Sequence, residues 1–114
     1  MIVDDNKTIR QLIRRFVGPG RNKFVECENG REAIEAYRLH RPDWVLMDVM
    51  MEGIDGLTAT REIKDAFPEA KIVIITSYDD DDLRQTAAEA GACGYVLKEN
   101  LMEVLTLMKS GKRI

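Results

Sequence analysis

The sequence predicts an α/β fold, a five-stranded parallel sheet with helices on both faces. Three observations carry that expectation. Five short apolar runs alternate with five segments of helical periodicity, the pattern of strand–helix–strand units. The clearest run, "KIVIIT" (71–76), is β-branched and apolar without the alternation of a half-exposed sheet, so both its faces are covered. The connections are short and punctuated by Gly, Pro or Asn.

"MIV" (1–3) is a short strand ending in Asp4 and Asp5. From Asn6, an N-cap, Ile9, Leu12, Ile13, Phe16 and Val17 recur on one helical face, and Gly18, Pro19 and Gly20 stop that helix. "KFVEC" (23–27) is the second strand. After Asn29 and Gly30, a helix over 31–40 turns Ala33, Ile34 and Tyr37 inward, and Pro42 marks its end. "WVLM" (44–47) is a buried strand. Gly53 and Gly56 bound the next loop, and 57–67 is a helix carrying Leu57, Ile63 and Phe67. Strand 71–76, helix 79–90 and strand "GYVL" (94–97) follow. A last helix over 99–110 has Leu101, Val104, Leu105 and Met108 on one face. No repeat, linker or low-complexity tract interrupts the series, so 1–114 reads as one domain.

Composition narrows the function classes. The 114 residues are 45% hydrophobic and 32% charged, ordinary for a soluble globular chain. No apolar run approaches the roughly 20 residues that span a bilayer. The first residues lack a secretion signal. A cytoplasmic protein that binds no membrane is therefore expected. The net charge of −3 gives no support for nucleic-acid binding by this segment. Cys27 and Cys93 lie far apart in apolar settings and His40 is the only histidine, which favours buried, reduced thiols over a zinc site.

In an open parallel sheet, ligands bind beyond the carboxyl ends of the strands. Those ends carry Asp4 and Asp5, then Asp48, then Thr76 and Ser77, then Lys98. Two like charges about 4 Å apart cost roughly 4 kcal/mol at an effective dielectric near 20. A hard divalent cation between them removes that cost, and Mg²⁺ favours one or two carboxylates with waters and phosphate oxygens. With Lys98 and Thr76 alongside, the edge predicts a pocket for a metal and a phosphate-like anion. Asp48 then either ligates the metal only, or is also a nucleophile that takes a phosphoryl group.

Two other acidic or glycine-rich stretches carry no site. Asp79 to Asp82 lack the spaced ligands of a calcium loop and suit the first turn of a helix. Gly18, Pro19 and Gly20 lack the lysine and hydroxyl of a phosphate loop.

"IVDDN", "LMDVMM", "GIDGL", "IIT" and "GYVLK", in this order and at this spacing, resemble the receiver domain of two-component response regulators over nearly the whole chain. The resemblance implies a flavodoxin-like sheet with strand order 2-1-3-4-5, the order seen in a chemotaxis member. It implies Asp48 as phosphoacceptor and Asp5 as a direct Mg²⁺ ligand, with Asp4 acting through water and the Met50 main-chain carbonyl completing the protein ligands. Thr76, Tyr95 and Lys98 match the switch hydroxyl, switch aromatic and phosphate-binding lysine.

The implied function is a phosphorylation-dependent switch charged by a sensor histidine kinase. Thr76 would move toward the phosphoryl group and Tyr95 into the space it leaves. That would alter the surface of helix 79–90, strand 94–97 and the last helix. "ENGREAI" and "GYVLKEN" resemble receivers that precede helix-turn-helix output domains, which implies control of transcription. Met50 and Tyr78 should border the path of attacking water and orient it poorly, so slow self-dephosphorylation is expected. Met102 and Leu107 lie off the last helix's core stripe and suggest homodimerisation on phosphorylation.

Three features depart from the family pattern. The first strand is short, Glu52 replaces a common proline, and Glu99 replaces a common cis proline. Two other functions compete with the switch: a degenerate receiver that only binds partners, and a metal-dependent aspartyl phosphatase, for which Met50 occupies the position of the second acid.

Overall fold

Strands and helices alternate along the whole chain in the computed structural model, which describes residues 1–18, 24–49, 53 and 55–110. In order they are β1 (Ile2–Val3), α1 (Lys7–Val17), β2 (Glu26–Cys27), α2 (Gly30–His40), β3 (Val45–Asp48), α3 (Gly56–Ala66), β4 (Ile72–Thr76), α4 (Asp81–Ala90), β5 (Gly94–Leu97) and α5 (Met102–Ser110). A single 3-10 turn, Lys98–Asn100, leads from β5 to α5. The strands form one parallel sheet in the order β2-β1-β3-β4-β5. Fold class and strand order are as the sequence and its resemblance imply.

Alternation along the strands decides which helix covers which face. Val45, Met47, Ile72 and Ile74 meet Ala33 and Tyr37 of α2, Ala59 and Ile63 of α3, and Ala87 of α4. Leu46, Val73, Ile75 and Val96 meet Ile13 and Val17 of α1, and Val104 and Leu107 of α5. Strand β4, flanked by β3 and β5, is buried along its whole length, which is why its sequence shows no polar alternation. Burying side chains of this size contributes about 1.5–3 kcal/mol each before entropy is counted.

Helices start where a short polar side chain closes their first turn. Asn6 accepts from the Ile9 amide at 3.2 Å and Asn29 from the Glu32 amide at 2.9 Å. Asp55 accepts from the Thr58 amide at 2.8 Å and Asp80 from the Leu83 amide at 3.0 Å. Such caps contribute about 1 kcal/mol each. With Asp80 as cap, α4 begins at Asp81 rather than 79, and Asp79 pairs instead with Arg84 at 3.2 Å.

Four sequence expectations need correction. Leu12 is 40% exposed rather than part of the inner stripe. Arg10, Ile13 and Val17 define the buried face of α1, and Leu12 stands one residue, about 100° of helix rotation, from Ile13. Leu107 is buried, whereas Met102 is 63% exposed. The reason is Gly94: a Cβ there would stand 2.7 Å from Leu107 Cδ1, so the absent side chain leaves a hollow in the sheet that Leu107 fills. Cys93 is half-buried, while Cys27 is buried and its thiol is pushed up to about 11, mainly by burial. Strand β2 is also shorter than 23–27, and Lys23 with Pro19 and Gly20 lies outside the described residues.

Register brings the polar strand ends to one edge. Val3 pairs with Met47, Asp48 with Ile75, and Thr76 with Leu97, so Asp4, Asp48, Thr76 and Lys98 follow one another across four adjacent strands. α3 leaves this edge by passing close to the main chain of Asp48. A Cβ on Gly56 would fall 1.8 Å from the Asp48 carbonyl oxygen, and the Gly56 amide donates to Val49 O at 3.0 Å. Gly56→Ala is therefore expected to destabilise the fold by about 3 kcal/mol, because backbone must move to admit the methyl group. Urea unfolding with an unchanged midpoint would contradict this.

Candidate functional site

The end of β1 and the end of β3 each project a carboxylate that is almost wholly buried, Asp4 at 1% and Asp48 at 5% exposure. Asp5 follows Asp4 and is exposed. One oxygen from each of the three lies within 4.8 Å of the others. Lys98, in the 3-10 turn after β5, reaches across: its Nζ is 3.0 Å from Asp4 Oδ2 and 3.2 Å from Asp48 Oδ1. The four expected charged residues are thus together.

Burial and mutual repulsion set the chemistry of this group. Burial is the largest cause pushing the Asp48 carboxyl from 3.8 up to about 6, the charges of Asp4 and Asp5 add to it, and Lys98 opposes it. For Lys98, burial works against the charge, but its contacts with Asp4 and Asp48 outweigh that and hold its pKa above the usual lysine value. Asp4 Oδ1 accepts from the Asn6 amide at 2.9 Å. Asp4 Oδ2 is buried and receives no directed hydrogen bond, the nearby ammonium being an ion contact only. A buried carboxylate oxygen with only an ammonium beside it, next to two further carboxylates, is a donor set that fits a hard divalent cation.

Thr76 ends β4 on the same edge and is 1% exposed. Among the described residues its hydroxyl meets neither Asp48 nor Lys98; its oxygen accepts from the Tyr78 amide at 3.2 Å. The Tyr78 carbonyl in turn accepts from the Tyr95 hydroxyl of β5. Tyr95 is already buried, with the Arg84 guanidinium 4.3 Å from its ring centroid, whereas the expected sequence of events had it enter only after Thr76 moved. Burial is the main cause raising the Tyr95 phenol above its ordinary value, which keeps it a donor. The Tyr78 side chain is 53% exposed.

Met50, expected to offer its carbonyl and to border the water path, lies outside the described residues, as does Glu52. Sequence reasoning gave no role to Arg10, yet this buried residue of α1 donates from Nη1 to the main-chain oxygen of Asp4 at 2.7 Å. The available signal was a basic residue one turn into α1, flanked by Ile9 and Ile13 on the inner face. A hollow of about 370 Å³ lined by Met1, Phe24, Val25 and Trp44 opens at the other, amino-terminal end of the strands, away from the carboxylates.

A family model described as the response regulator receiver domain matches residues 1–109. Chemotaxis protein CheY of Halobacterium salinarum is 39% identical over 98 residues, which cover 86% of this chain and 82% of that protein. Response regulator GacA of Pseudomonas viridiflava is 33% identical over 119 aligned positions, covering 99% of this chain and 56% of that protein. The chain therefore spans about half the length of this second relative. Among solved structures, a two-component response regulator of the LuxR family from an Aurantimonas species superposes with a TM-score of 0.89 at 34% identity, over 99% of this chain and 85% of the other.

The raised Asp48 pKa has a stability consequence. The folded protein holds this proton more tightly than the unfolded chain, so stability falls as pH rises from about 4 to about 6, and the loss is complete above that. Without metal, Asp48→Asn is expected to be more stable than the wild type at pH 7 by about 2 kcal/mol, the gap closing below pH 4. Urea titrations across that pH range check the sign; a destabilised variant at pH 7 would refute it.

Proposed function

The chain belongs to the response regulator receiver domain family, and from that premise we propose that it is a phosphorylation-controlled signalling switch with Asp48 as the phosphoacceptor. The observation that carries this reading is the cluster of three carboxylates within 4.8 Å, bridged by Lys98. Asp4, Asp5 and Asp48 would hold Mg²⁺, with the main-chain carbonyl of Met50 as a further ligand. When bound, Mg²⁺ supplies positive charge that offsets the carboxylates and the incoming phosphoryl oxygens.

A sensor histidine kinase is the proposed donor. A carboxylate oxygen of Asp48 bonds to phosphorus as the bond between phosphorus and the donor breaks. The ammonium of Lys98, already 3.2 Å from Asp48, pairs with the charge that arrives. The Thr76 hydroxyl accepts from Tyr78 and so keeps its own proton to donate to a phosphoryl oxygen. The acyl phosphate carries about −2 charge near neutral pH.

Drawing Thr76 toward that charge lengthens its bond to the Tyr78 amide. The Tyr78 carbonyl holds the Tyr95 hydroxyl, so the disturbance passes to β5 and to the surface of α4, β5 and α5. Because Tyr95 is already buried, the proposed signal is a displacement of the Tyr78 peptide, in place of an inward swing of the aromatic ring. Moving such an equilibrium from mostly off to mostly on takes roughly 5.5 kcal/mol of differential binding.

Relatives about twice as long support an output segment beyond this domain, and those named transcriptional regulatory proteins support transcription as the regulated process. Homodimerisation on phosphorylation belongs to the same proposal, with Met102 as the exposed apolar group on α5. The chemistry is limited to the chain's own phosphoryl transfer and slow dephosphorylation.

Intact-mass measurement after acetyl phosphate treatment tests the core of the proposal. One phosphoryl group is expected on the wild type with Mg²⁺, and none without Mg²⁺ or on Asp48→Asn; equal labelling of that variant would remove Asp48 from its role. The lifetime is tested separately. Met50 and Tyr78, two residues beyond Asp48 and Thr76, carry neither the carboxylate nor the amide that would orient water well, so dephosphorylation is expected to take far longer than seconds. Met50→Asn and Tyr78→Glu should shorten it. A half-life of seconds that neither substitution changes would count against that.

A further inference from the structure

The strongest unused feature is the arginine buried beside the acidic cluster. Arg10 is 7% exposed, and a guanidinium is costly to bury unless its donors are used. Its Nη1 donates to Asp4 O at 2.7 Å, its Nε to Glu26 Oε1 at 3.1 Å, and its Nη2 lies 3.9 Å from Glu28 Oε1. One planar group thus joins α1 to the end of β1 and to β2.

The contact with Asp4 matters because of which atom it grips. The Asp4 carbonyl belongs to the peptide unit that carries Asp5, and a peptide unit is planar. Fixing its oxygen fixes the direction in which Asp5 leaves the strand. The rest of Asp4 is held as well: its amide donates to Cys27 O at 3.0 Å and its Oδ1 accepts from the Asn6 amide. Only Oδ2 stays without a directed hydrogen bond, on the side of Lys98 and Asp48.

We propose that Arg10 is a positioning residue for the divalent cation: by holding the Asp4–Asp5 peptide it aims two carboxylates at a common point. This deepens the switch reading and rests on it. Arg10 touches neither the phosphoacceptor nor the cation, so its role is to spare the cluster the entropy of ordering that corner at the moment of binding. Lysine cannot replace it, since one ammonium lacks the fork that spans Asp4 O and Glu26 together.

The test is calorimetric titration of the metal-free chain with Mg²⁺ alone, beside thermal unfolding of each variant. Arg10→Lys and Arg10→Met are expected to bind Mg²⁺ about tenfold more weakly. Glu26→Gln, which weakens the ion pair with β2 but spares the Asp4 contact, should stay within twofold of wild type even where its thermal stability falls. Wild-type affinity in a folded Arg10→Met would reduce Arg10 to a structural ion pair and overturn the proposal. If that variant does not fold, the same result in Arg10→Lys overturns it. Equal weakening by Glu26→Gln would overturn it too, by tracing the effect to β2. A wild type that binds no Mg²⁺ would instead bring down the switch reading itself.

Discussion

Two carboxylates buried side by side, with one ammonium between them, are the constraint on which the rest of this molecule depends. Asp4 and Asp48 are nearly inaccessible to water, and Lys98 sits within 3.2 Å of both. Burying charge so deeply is costly unless it is paired. The arrangement requires β1, β3 and β5 to end at the same level, which the parallel register supplies, with β4 between β3 and β5 bringing Thr76 to the same edge. It also requires α3 to approach the Asp48 backbone more closely than any side chain at position 56 would allow. Fold and site are therefore one problem: an α/β sheet concentrates polar groups at its carboxyl edge, and here that edge is loaded with charge.

Most of this was legible in the sequence because it is written in strand periodicity and in the residues just past each strand. Asp4, Asp5, Asp48 and Lys98 come together as the spacing and the family resemblance imply. What was not legible depends on contacts between distant elements. Leu107 is apolar like its neighbours on α5, and only the hollow above Gly94 makes it a core residue. Leu12 fits a helical stripe by count, yet the inner face of α1 includes in its place a charged residue that hydropathy assigns to solvent. Arg10 is buried because its three partners lie on β1, β2 and the turn after β2, a fact that no local pattern encodes.

Burial separates two arginines that, among the described residues, meet site residues. Arg10 is buried and uses its fork on a main-chain oxygen and a carboxylate, so its geometry is tightly specified. Arg84 lies on the surface of α4, over the Tyr95 ring and against Asp79, where solvent screening leaves each contact worth only about 1 kcal/mol or less. The former suits a fixed support and the latter a contact that can be exchanged. That contrast suits the proposed cation ligands at the end of β1 and the proposed switch surface at α4 and β5.

Thr76 and Tyr95 are joined only indirectly. The joint is the backbone of residue 78, whose amide donates to one and whose carbonyl accepts from the other, while its own ring stands in solvent. Any amino acid with an N–H preserves that linkage; proline alone breaks it. The side chain at this position can therefore change while the backbone link between the two strands stays intact.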